Sequence, residues 1–424
     1  MYKGCVPTKT LLRSAKIFDL VKKAQDFGIS TGAVSVDFAR VMARKDAIIA
    51  QASPLESQRA LERKGIAVLL GTASFVSPSE LRVGSRTIRG RRFIIATGSR
   101  PFVPPVDGLK DIGFITSDEA LDLRRLPKSI VIIGGGPIGV EFAQVFGRFG
   151  SKVTILENSD RILDKEDGEV SLAIQGYLAQ EGIGISTGVN VQRATRELGE
   201  KVVVAEVNRG RQAFRAEEIM VATGRMPNVD GLDIQVAGVQ PQRRGLAIDD
   251  ELRTTAEHVW TAGDVAGRYQ FTHVANYEGE IAANNALTDR PLKADYRVIP
   301  KATFTDPEVA SVGLTEMQAR QEGHRVIVGR FPFQQVEKSI IDGEAKGFAK
   351  LVVDEGSRQI LGGHVVGPEA TDLVNEIAVA MNGHMTVDAL AESIHAFPSI
   401  SEGVRFAARE LVVLEQARLA CCVA

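Results

Sequence analysis

Three cysteines carry much of the chemistry that this sequence could perform. Cys5 follows a glycine and precedes a run of helical spacing at 10–24, whereas Cys421 and Cys422 are neighbours near the other end of the chain. At the first turn of a helix, unpaired N–H groups and the positive end of the helix dipole favour a thiolate over a thiol. Cys5 is therefore a candidate redox or nucleophilic sulfur, although residue type alone favours a buried, inert cysteine.

The adjacent Cys421 and Cys422 suggest a different use of sulfur. Two soft thiolates on a mobile chain end suit the capture of a thiophilic metal ion. Three cysteines are too few for a disulfide scaffold, so each is treated as potential chemistry. The alternative is a pair of accidental cysteines in a frayed end.

A glycine-rich turn predicts a dinucleotide site. The apolar run 129–133 leads directly into Gly134, Gly136 and Gly139, which have the spacing GxGxxG, and then into a helical stretch. Gly134 permits the tight turn, Gly136 lets the backbone approach a pyrophosphate, and Gly139 allows close packing of helix on strand. A glycine-rich turn without a ligand is the alternative.

The residue that follows the next predicted strand, 152–156, is Glu157. A carboxylate there can accept both ribose hydroxyls of an adenosine and would repel a 2′-phosphate, which favours NADH over NADPH. Arg161 lies close enough in sequence to compensate for a phosphate. Further along, strand-like 259–265 presents one carboxylate, Asp264, which suits either a polyol hydroxyl or a helix cap.

The elements that must position these residues describe an α/β protein. The chain has 424 residues, a formal charge of −2 and 44% hydrophobic residues, with no long apolar run and no signal-peptide pattern. We therefore expect a cytoplasmic protein that binds neither nucleic acid nor membrane. Short strands are predicted at 67–70 and 81–83.

Two similar segments, 93–101 and 218–228, each pass from an apolar strand through Ala-Thr-Gly towards a proline. They imply two nucleotide-binding units between which the chain crosses. Alternating segments between 302 and 366 then predict an antiparallel sheet, on which amphipathic helices at 370–381, 386–391 and 401–419 pack. This last part is either a dimer interface or a substrate domain.

In this order the motifs resemble the pyridine nucleotide-disulfide oxidoreductases, flavoenzymes such as dihydrolipoamide dehydrogenase, glutathione reductase and mercuric reductase. The resemblance extends over essentially the whole chain, through segments 4–9, 96–101, 134–141, 222–228, 261–264, 304–308 and 397–402. It implies two Rossmann-like nucleotide-binding domains, for FAD and NAD(P), and a C-terminal α+β dimerisation domain through which a homodimer forms. The ranges expected are 1–112 and 229–298 for the FAD-binding parts, 113–228 for the NAD(P)-binding domain and 299–424 for the dimerisation domain with its Cys-Cys tail.

The resemblance also assigns roles. In such enzymes NAD(P)H reduces FAD, and FAD reduces a cysteine pair whose flavin-side sulfur matches Cys5. Lys9 and Glu141 match a pair beside the isoalloxazine ring, and Asp264 matches the ligand of the ribityl chain. Glu402 matches the glutamate that holds a catalytic histidine. The remaining cofactor contacts implied are Thr97, Gly98, Gly134, Gly136, Gly139, Glu157, Ala222, Thr223, Gly224, Arg225 and Gly263.

Two departures from the family pattern change the expected chemistry. The family's partner of Cys5 would stand one residue before Met1. The first βαβ unit of the family's FAD domain would also precede Met1. We therefore expect a truncated chain or an inactive remnant. The base position holds Phe397, which carries no proton to transfer. His395 is either a satisfied interface histidine or a weak substitute for the missing base.

Loss of the base argues against a disulfide substrate and is compatible with one that needs only thiolates. Mercuric reductases likewise lack the histidine and carry a tail cysteine pair, which implies that Cys5, Cys421 and Cys422 bind Hg(II) as substrate. The predicted function is NAD(P)H- and FAD-dependent reduction of Hg(II) to Hg(0). The alternatives are a dihydrolipoamide dehydrogenase-like disulfide reductase and a non-catalytic NADH-binding dimer.

Overall fold

The computed structural model describes residues 2–52 and 58–423, with residues 414–423 described as backbone only. The chain divides into two compact units. Unit 1 contains Asp46–Val103 and Gly224–Tyr296, and unit 2 contains Lys3–Lys45, Pro104–Thr223 and Arg297–Ala424. The polypeptide therefore crosses between the units several times, as the two Ala-Thr-Gly segments predict.

The α-helices of the described residues are α1 (Cys5–Lys22), α2 (Phe38–Ala52), α3 (Gln58–Arg63), α4 (Leu109–Ile112), α5 (Ser117–Ala120), α6 (Pro137–Phe149), α7 (Gly168–Gln180), α8 (Thr272–Leu287), α9 (Glu316–Gln321), α10 (Glu337–Ile341), α11 (Ala370–Asn382), α12 (Val387–Glu392) and α13 (Glu402–Val423). Within the described ranges, none is both long and apolar enough to cross a bilayer.

The strands are β1 (Ala73–Ser77), β2 (Glu80–Val83), β3 (Arg86–Arg89), β4 (Phe93–Ile95), β5 (Ser99–Pro101), β6 (Ser129–Ile133), β7 (Lys152–Leu156), β8 (Gly184–Ser186), β9 (Asn190–Glu197), β10 (Glu200–Val207), β11 (Gly210–Ala216), β12 (Glu218–Val221), β13 (Arg225–Pro227), β14 (Pro241–Gln242), β15 (Gly245–Leu246), β16 (Val259–Thr261), β17 (Lys301–Thr303), β18 (Glu308–Gly313), β19 (Val326–Pro332), β20 (Phe348–Asp354) and β21 (Ile360–Gly367). The strand predicted at 67–70 is absent, and Leu70 there is 79% exposed, so the segment has no buried face to pair or pack.

Unit 2 contains a parallel sheet with the strand order β12-β6-β7-β8. The strands β6 and β7 begin and end where the apolar runs predict, and α6 connects them as the crossover of a βαβ unit. Pro137 occupies the first turn of α6, where its missing N–H would have no helical partner. Gly150 ends the helix in the left-handed conformation.

Helix α1 begins at Cys5, earlier than the apolar periodicity of 10–24 indicates. Its buried stripe consists of Leu11, Leu12 and Ala15, which pack into the main core of unit 2. Thr8 and Thr10 extend the helix backwards because their hydroxyls donate to the carbonyls of Gly4 and Val6, one turn earlier.

The C-terminal part of unit 2 is an antiparallel sheet with the order β17-β18-β21-β20-β19, on which α11 and α13 pack, as predicted. Helix α13 continues to Val423, beyond the predicted end near residue 419. No glycine or proline follows Gly403 to stop the helix. The backbone of Cys421 and Cys422 is therefore helical rather than a loose tail.

Unit 1 has a small parallel pair, β4 with β16, next to an antiparallel pair, β5 with β13. Each Ala-Thr-Gly segment thus runs from one strand into a second strand. The pairing joins Arg225 to Pro101 and Pro227 to Ser99, so both Ala-Thr-Gly segments lead into one two-stranded ribbon.

Candidate functional site

The glycine turn of unit 2 has the geometry of a dinucleotide-binding turn. Gly134 has a φ of 110°, and a Cβ there or at Gly139 would collide with backbone oxygens of Ala222 and Gly134, respectively. A Cβ at Gly136 would meet no atom within 4 Å, so this peptide is open to a ligand at the start of α6. The residues present therefore fit the pyrophosphate of a pyridine nucleotide. Thr223 follows Ala222 beside this turn.

Glu157 lies at the end of β7 beside the same turn. Its Oε2 accepts the Gly135 N–H at 2.5 Å, and its Oε1 accepts the Ser159 N–H at 2.7 Å. The carboxylate is thus held at a fixed place, where the remaining lone pairs can accept ribose hydroxyls. Arg161 is engaged elsewhere, since its guanidinium donates to Asp160 at 3.2 Å and to the Asp164 carbonyl at 3.1 Å.

Cys5 is exposed at the first residue of α1, where backbone N–H groups lack helical partners. One turn later, the Lys9 Nζ lies 2.8 and 2.9 Å from the two oxygens of Glu141 on α6. The Glu141 side chain is only 4% exposed, and its Oε1 also accepts the Phe304 N–H at 2.9 Å. The Phe304 ring lies 4.4 Å from the same ammonium.

A second group of charged side chains also links α1, α6 and the segment 304–306, and the sequence did not predict it. Arg148 of α6 is 6% exposed, and its guanidinium donates to Asp306 at 2.8 Å and to Glu181 at 2.7 and 2.9 Å. Lys16 of α1 lies 3.3 Å from Asp306 and 2.9 Å from Glu344. Burial by itself would raise the pKa of Asp306, but Arg148 and Lys16 outweigh it and hold the pKa below its usual range.

Within unit 1, Ser99 brings two predicted cofactor residues, Asp264 and Arg225, together, and Thr97 contacts Asn228. Thr97 donates to the Asn228 carbonyl at 2.6 Å. Ser99 donates to an Asp264 oxygen at 2.5 Å and accepts from the Arg225 guanidinium at 2.8 Å. Gly98 and Gly224 take positive φ values of 70° and 118°, which glycine adopts without strain.

The turn that presents Asp264 rests on a buried acid that the sequence reasoning also missed. Gly263, with a φ of 78°, donates its N–H to Glu278 Oε2 at 2.6 Å. Tyr296 donates to the other oxygen at 2.7 Å, and Glu278 is fully buried. Burial raises the pKa of Glu278. Burial and the adjacent carboxylate raise the pKa of the Tyr296 phenol as well.

The residues at the family's base position do not form a histidine–glutamate pair. Phe397 is 72% exposed. Glu402 is 5% exposed and accepts the Ser399 N–H at 3.2 Å. His395 instead contacts Glu376 at 2.7 Å, with its side chain 8% exposed, which agrees with the satisfied-histidine alternative.

No group of three or more His, Cys, Asp or Glu side chains that could hold a metal ion occurs in the part of the chain whose side chains are described. The predicted metal ligands Cys421 and Cys422 have side chains outside the described residues. Their proposed role therefore stays a prediction.

Comparison with known proteins defines the class. The model of the pyridine nucleotide-disulphide oxidoreductase family matches residues 1–279, and that of its dimerisation domain matches residues 299–408. The chain belongs to this family. Its members depend on FAD and NAD(P)H, and the α/β fold is that of the flavoprotein disulfide reductases.

Individual relatives carry two different activities in their names. The chain is 34% identical to a mercuric reductase of Staphylococcus aureus over 99% of its own length and 77% of the relative. It is 36% identical to a dihydrolipoyl dehydrogenase of Bacillus subtilis, over 96% of this chain and 89% of the relative. Among solved structures, the Cu(II) complex of the HOCl-induced flavoprotein disulfide reductase RclA from Escherichia coli matches with a TM-score of 0.84 at 29% identity, covering 94% of this chain and 88% of that one.

The unit 1 residues also fit the flavin that the family uses. Asp264 is 24% exposed on a left-handed turn, and only one of its oxygens is engaged by Ser99, which leaves acceptor capacity for a polyol hydroxyl. A Cβ on Gly263 would lie 3.1 Å from the Ala275 Cβ, so glycine is required both for φ and for the close approach of α8.

Proposed function

We propose that this chain is an NAD(P)H- and FAD-dependent reductase in which Hg(II) bound to the Cys5 thiolate is reduced. The observation that carries the proposal is the combination of an exposed thiol at a helix N-terminus with a base position occupied by Phe397. Thiol–disulfide exchange needs a group that moves protons on and off sulfur. Phe397 cannot do so, and His395 is held by Glu376.

Reduction of Hg(II) makes smaller demands on the protein. NAD(P)H gives up a hydride, which supplies the two electrons that convert Hg(II) to Hg(0), and the products are NAD(P)⁺, one proton and Hg(0). Bound FAD would accept the hydride and supply its two electrons to Hg(II) held on the Cys5 sulfur. A thiolate is the ligand that soft metal ions prefer, and Cys5 lies exposed at the first residue of α1. Cys421 and Cys422 are proposed to deliver the metal.

The other site residues hold the cofactors and the sulfur in place. The turn Gly134–Gly139 receives the pyrophosphate at the start of α6, and Glu157 receives the adenosine ribose, which favours NADH. Asp264 accepts a ribityl hydroxyl. The Lys9–Glu141 pair fixes the helix that begins with Cys5 against α6 and Phe304. The C-terminal domain is proposed to form a homodimer.

Substrate competition tests the proposal. Purified protein supplied with FAD is assayed for NADH and NADPH oxidation started either by Hg(II), with excess external thiol, or by lipoamide. We expect Hg(II) to support NADH or NADPH oxidation. The rate with lipoamide should be lower by at least about a hundredfold, because proton transfer contributes roughly 10²–10⁴ in rate.

Faster oxidation with lipoamide than with Hg(II) would instead assign a dihydrolipoyl dehydrogenase-like activity. Oxidation with neither, together with measurable NADH binding, would assign a non-catalytic nucleotide-binding protein. Cys5→Ser is the control in each assay, since its loss of rate shows that turnover requires this sulfur.

A further inference from the structure

The turn Gly263–Ala266, which presents Asp264, is hydrogen-bonded to a buried acid, Glu278. Glu278 lies one helical turn and a half into α8 and has no exposed surface. Its Oε2 accepts the Gly263 N–H at 2.6 Å, a short bond of the kind that a charged acceptor makes. The peptide that follows Gly263 carries Asp264.

The second oxygen of Glu278 is also occupied by a donor. Tyr296 donates its hydroxyl to Oε1 at 2.7 Å, and the Arg268 guanidinium lies 5.3 Å from the centre of the Tyr296 ring. Both hydrogen bonds are therefore donated to Glu278 and none is donated by it. Two acceptor oxygens with no donated proton describe an ionised carboxylate.

Such a charge is unusual in a wholly buried position where no lysine or arginine of the described residues is in hydrogen-bond contact with it. Burial of an unpaired carboxylate opposes folding, so a carboxylate that persists there has a task that an apolar side chain would not perform. The neighbour that it contacts is the backbone of the predicted flavin turn. We propose that Glu278 is a positioning residue of the flavin site, which holds Gly263 in its left-handed conformation so that Asp264 faces the ribityl chain.

Two features make the backbone contact decisive. Gly263 has a φ of 78°, and because glycine adopts positive and negative φ about equally, an outside contact such as the bond to Glu278 decides which conformation is populated. Ala262 and Val265, which stand on either side of Gly263 and Asp264, are buried and anchor both ends of this peptide. The inference rests on the FAD requirement of the proposed function and does not depend on the Hg(II) chemistry.

Four variants of the full chain test the proposal. Glu278→Leu removes both acceptors, and Glu278→Asp keeps the charge but shortens its reach by one methylene. Glu278→Gln keeps an amide oxygen for the Gly263 N–H while its NH₂ group can donate to the Tyr296 hydroxyl oxygen. Glu280→Leu is the matched control, because Glu280 is exposed on the same helix and its carboxylate accepts a hydrogen bond from the Asn276 amide.

Two readouts are measured without turnover. The first is hydrogen–deuterium exchange of peptide 259–267 in the flavin-free chain, with the glycine turn 134–139 as internal reference. The second is the FAD dissociation constant, from the change in flavin fluorescence. We expect Glu278→Leu to exchange faster at 259–267 and to bind FAD about tenfold more weakly, as loss of one buried charged hydrogen bond predicts.

Glu278→Asp should fall between Glu278→Leu and the wild type, and Glu278→Gln and Glu280→Leu should bind FAD within about threefold of the wild type. Rescue by glutamine separates positioning from a general loss of folding. Unchanged exchange and FAD affinity in Glu278→Leu, or in Glu278→Asp if the leucine variant does not fold, would overturn the proposal. So would equal damage by glutamine and leucine, or a wild-type chain that takes up no FAD. Loss of Hg(II)-dependent oxidation alone would contradict the proposed function and leave this inference standing.

Discussion

Glu141 in unit 2 and Glu278 in unit 1 are two buried carboxylates that each accept one backbone N–H, yet their other partners differ in kind. Glu141 is bound by the Lys9 ammonium, whereas Glu278 is bound by the neutral phenol of Tyr296. The comparison shows that a buried charge can serve either as half of an ion pair that joins helices or as a lone acceptor that shapes a turn. Breaking the Glu141 ion pair should lower the free energy of unfolding strongly. Replacing Glu278 should do so only when the new side chain has no acceptor for the Gly263 N–H.

Breaking the ion pair should have the largest effect on stability. Lys9→Met leaves the Glu141 carboxylate, only 4% exposed, without its cation. We expect the free energy of unfolding to fall by about 3 kcal/mol in urea denaturation at neutral pH. The double variant Lys9→Met/Glu141→Leu should recover more than half of that loss, since it removes the stranded charge as well. A double variant less stable than the single one would refute the pairing.

Asp306 extends the comparison to a carboxylate bound by a guanidinium. Asp306→Asn should lower the free energy of unfolding at neutral pH by about 2 kcal/mol, the range of a charged hydrogen bond. The wild-type pKa of Asp306 is depressed, so its contribution is present above the ordinary value of 3.8 and is lost as the pH falls through the folded-state pKa. Denaturation at pH values from 5 to 2 should show the two proteins converging in stability. A constant difference across this range would exclude the assigned cause.

Tyr296→Phe should cost less, about 1 kcal/mol, because Glu278 loses one donor and keeps the Gly263 N–H. Thermal unfolding measures the loss. Tyr277→Phe is the control, because the Tyr277 hydroxyl, on α8, accepts the Asp295 N–H rather than donating to Glu278. Equal destabilisation by both substitutions would mean that the Tyr296–Glu278 hydrogen bond contributes no more to stability than the Tyr277–Asp295 bond does.

The smallest effect distinguishes the two carboxylates by the sign of a pH dependence. Burial raises the pKa of Glu278 above its ordinary value of 4.5, so its favourable contribution is complete below that value and is lost as the pH rises through the folded-state pKa. The free energy of unfolding of the wild type should therefore fall relative to that of Glu278→Gln between pH 4 and pH 8. The opposite slope would show that the carboxylate is stabilised there as an ion pair would be.

Local sequence patterns predicted the dinucleotide turn because all of its determinants lie within one short stretch. The apolar run of β6, the three glycines and the helix that follows each constrain the backbone directly. The antiparallel sheet of the last domain was predicted for the same reason, since period-two alternation reports which face of a strand is buried.

Contacts between distant segments could not be read in this way. Glu278 and Glu280 have the same side chain two positions apart on one helix, and only the packing of α8 under Gly263 buries the first and exposes the second. Arg148 and Asp306 are separated by 158 positions in sequence. The acidic or basic identity of such residues is visible in the sequence, but their partners are set by tertiary structure.

The central claim is that electrons from NAD(P)H reduce Hg(II) bound to the Cys5 sulfur. The most direct test is to collect the elemental mercury released by the FAD-loaded chain and compare it with the NAD(P)H consumed, for the wild type and for Cys5→Ser. We predict one Hg(0) per NAD(P)H oxidised by the wild type, as the two-electron balance requires, and release lower by at least about a hundredfold from Cys5→Ser. Equal release of mercury by the two proteins would contradict the claim.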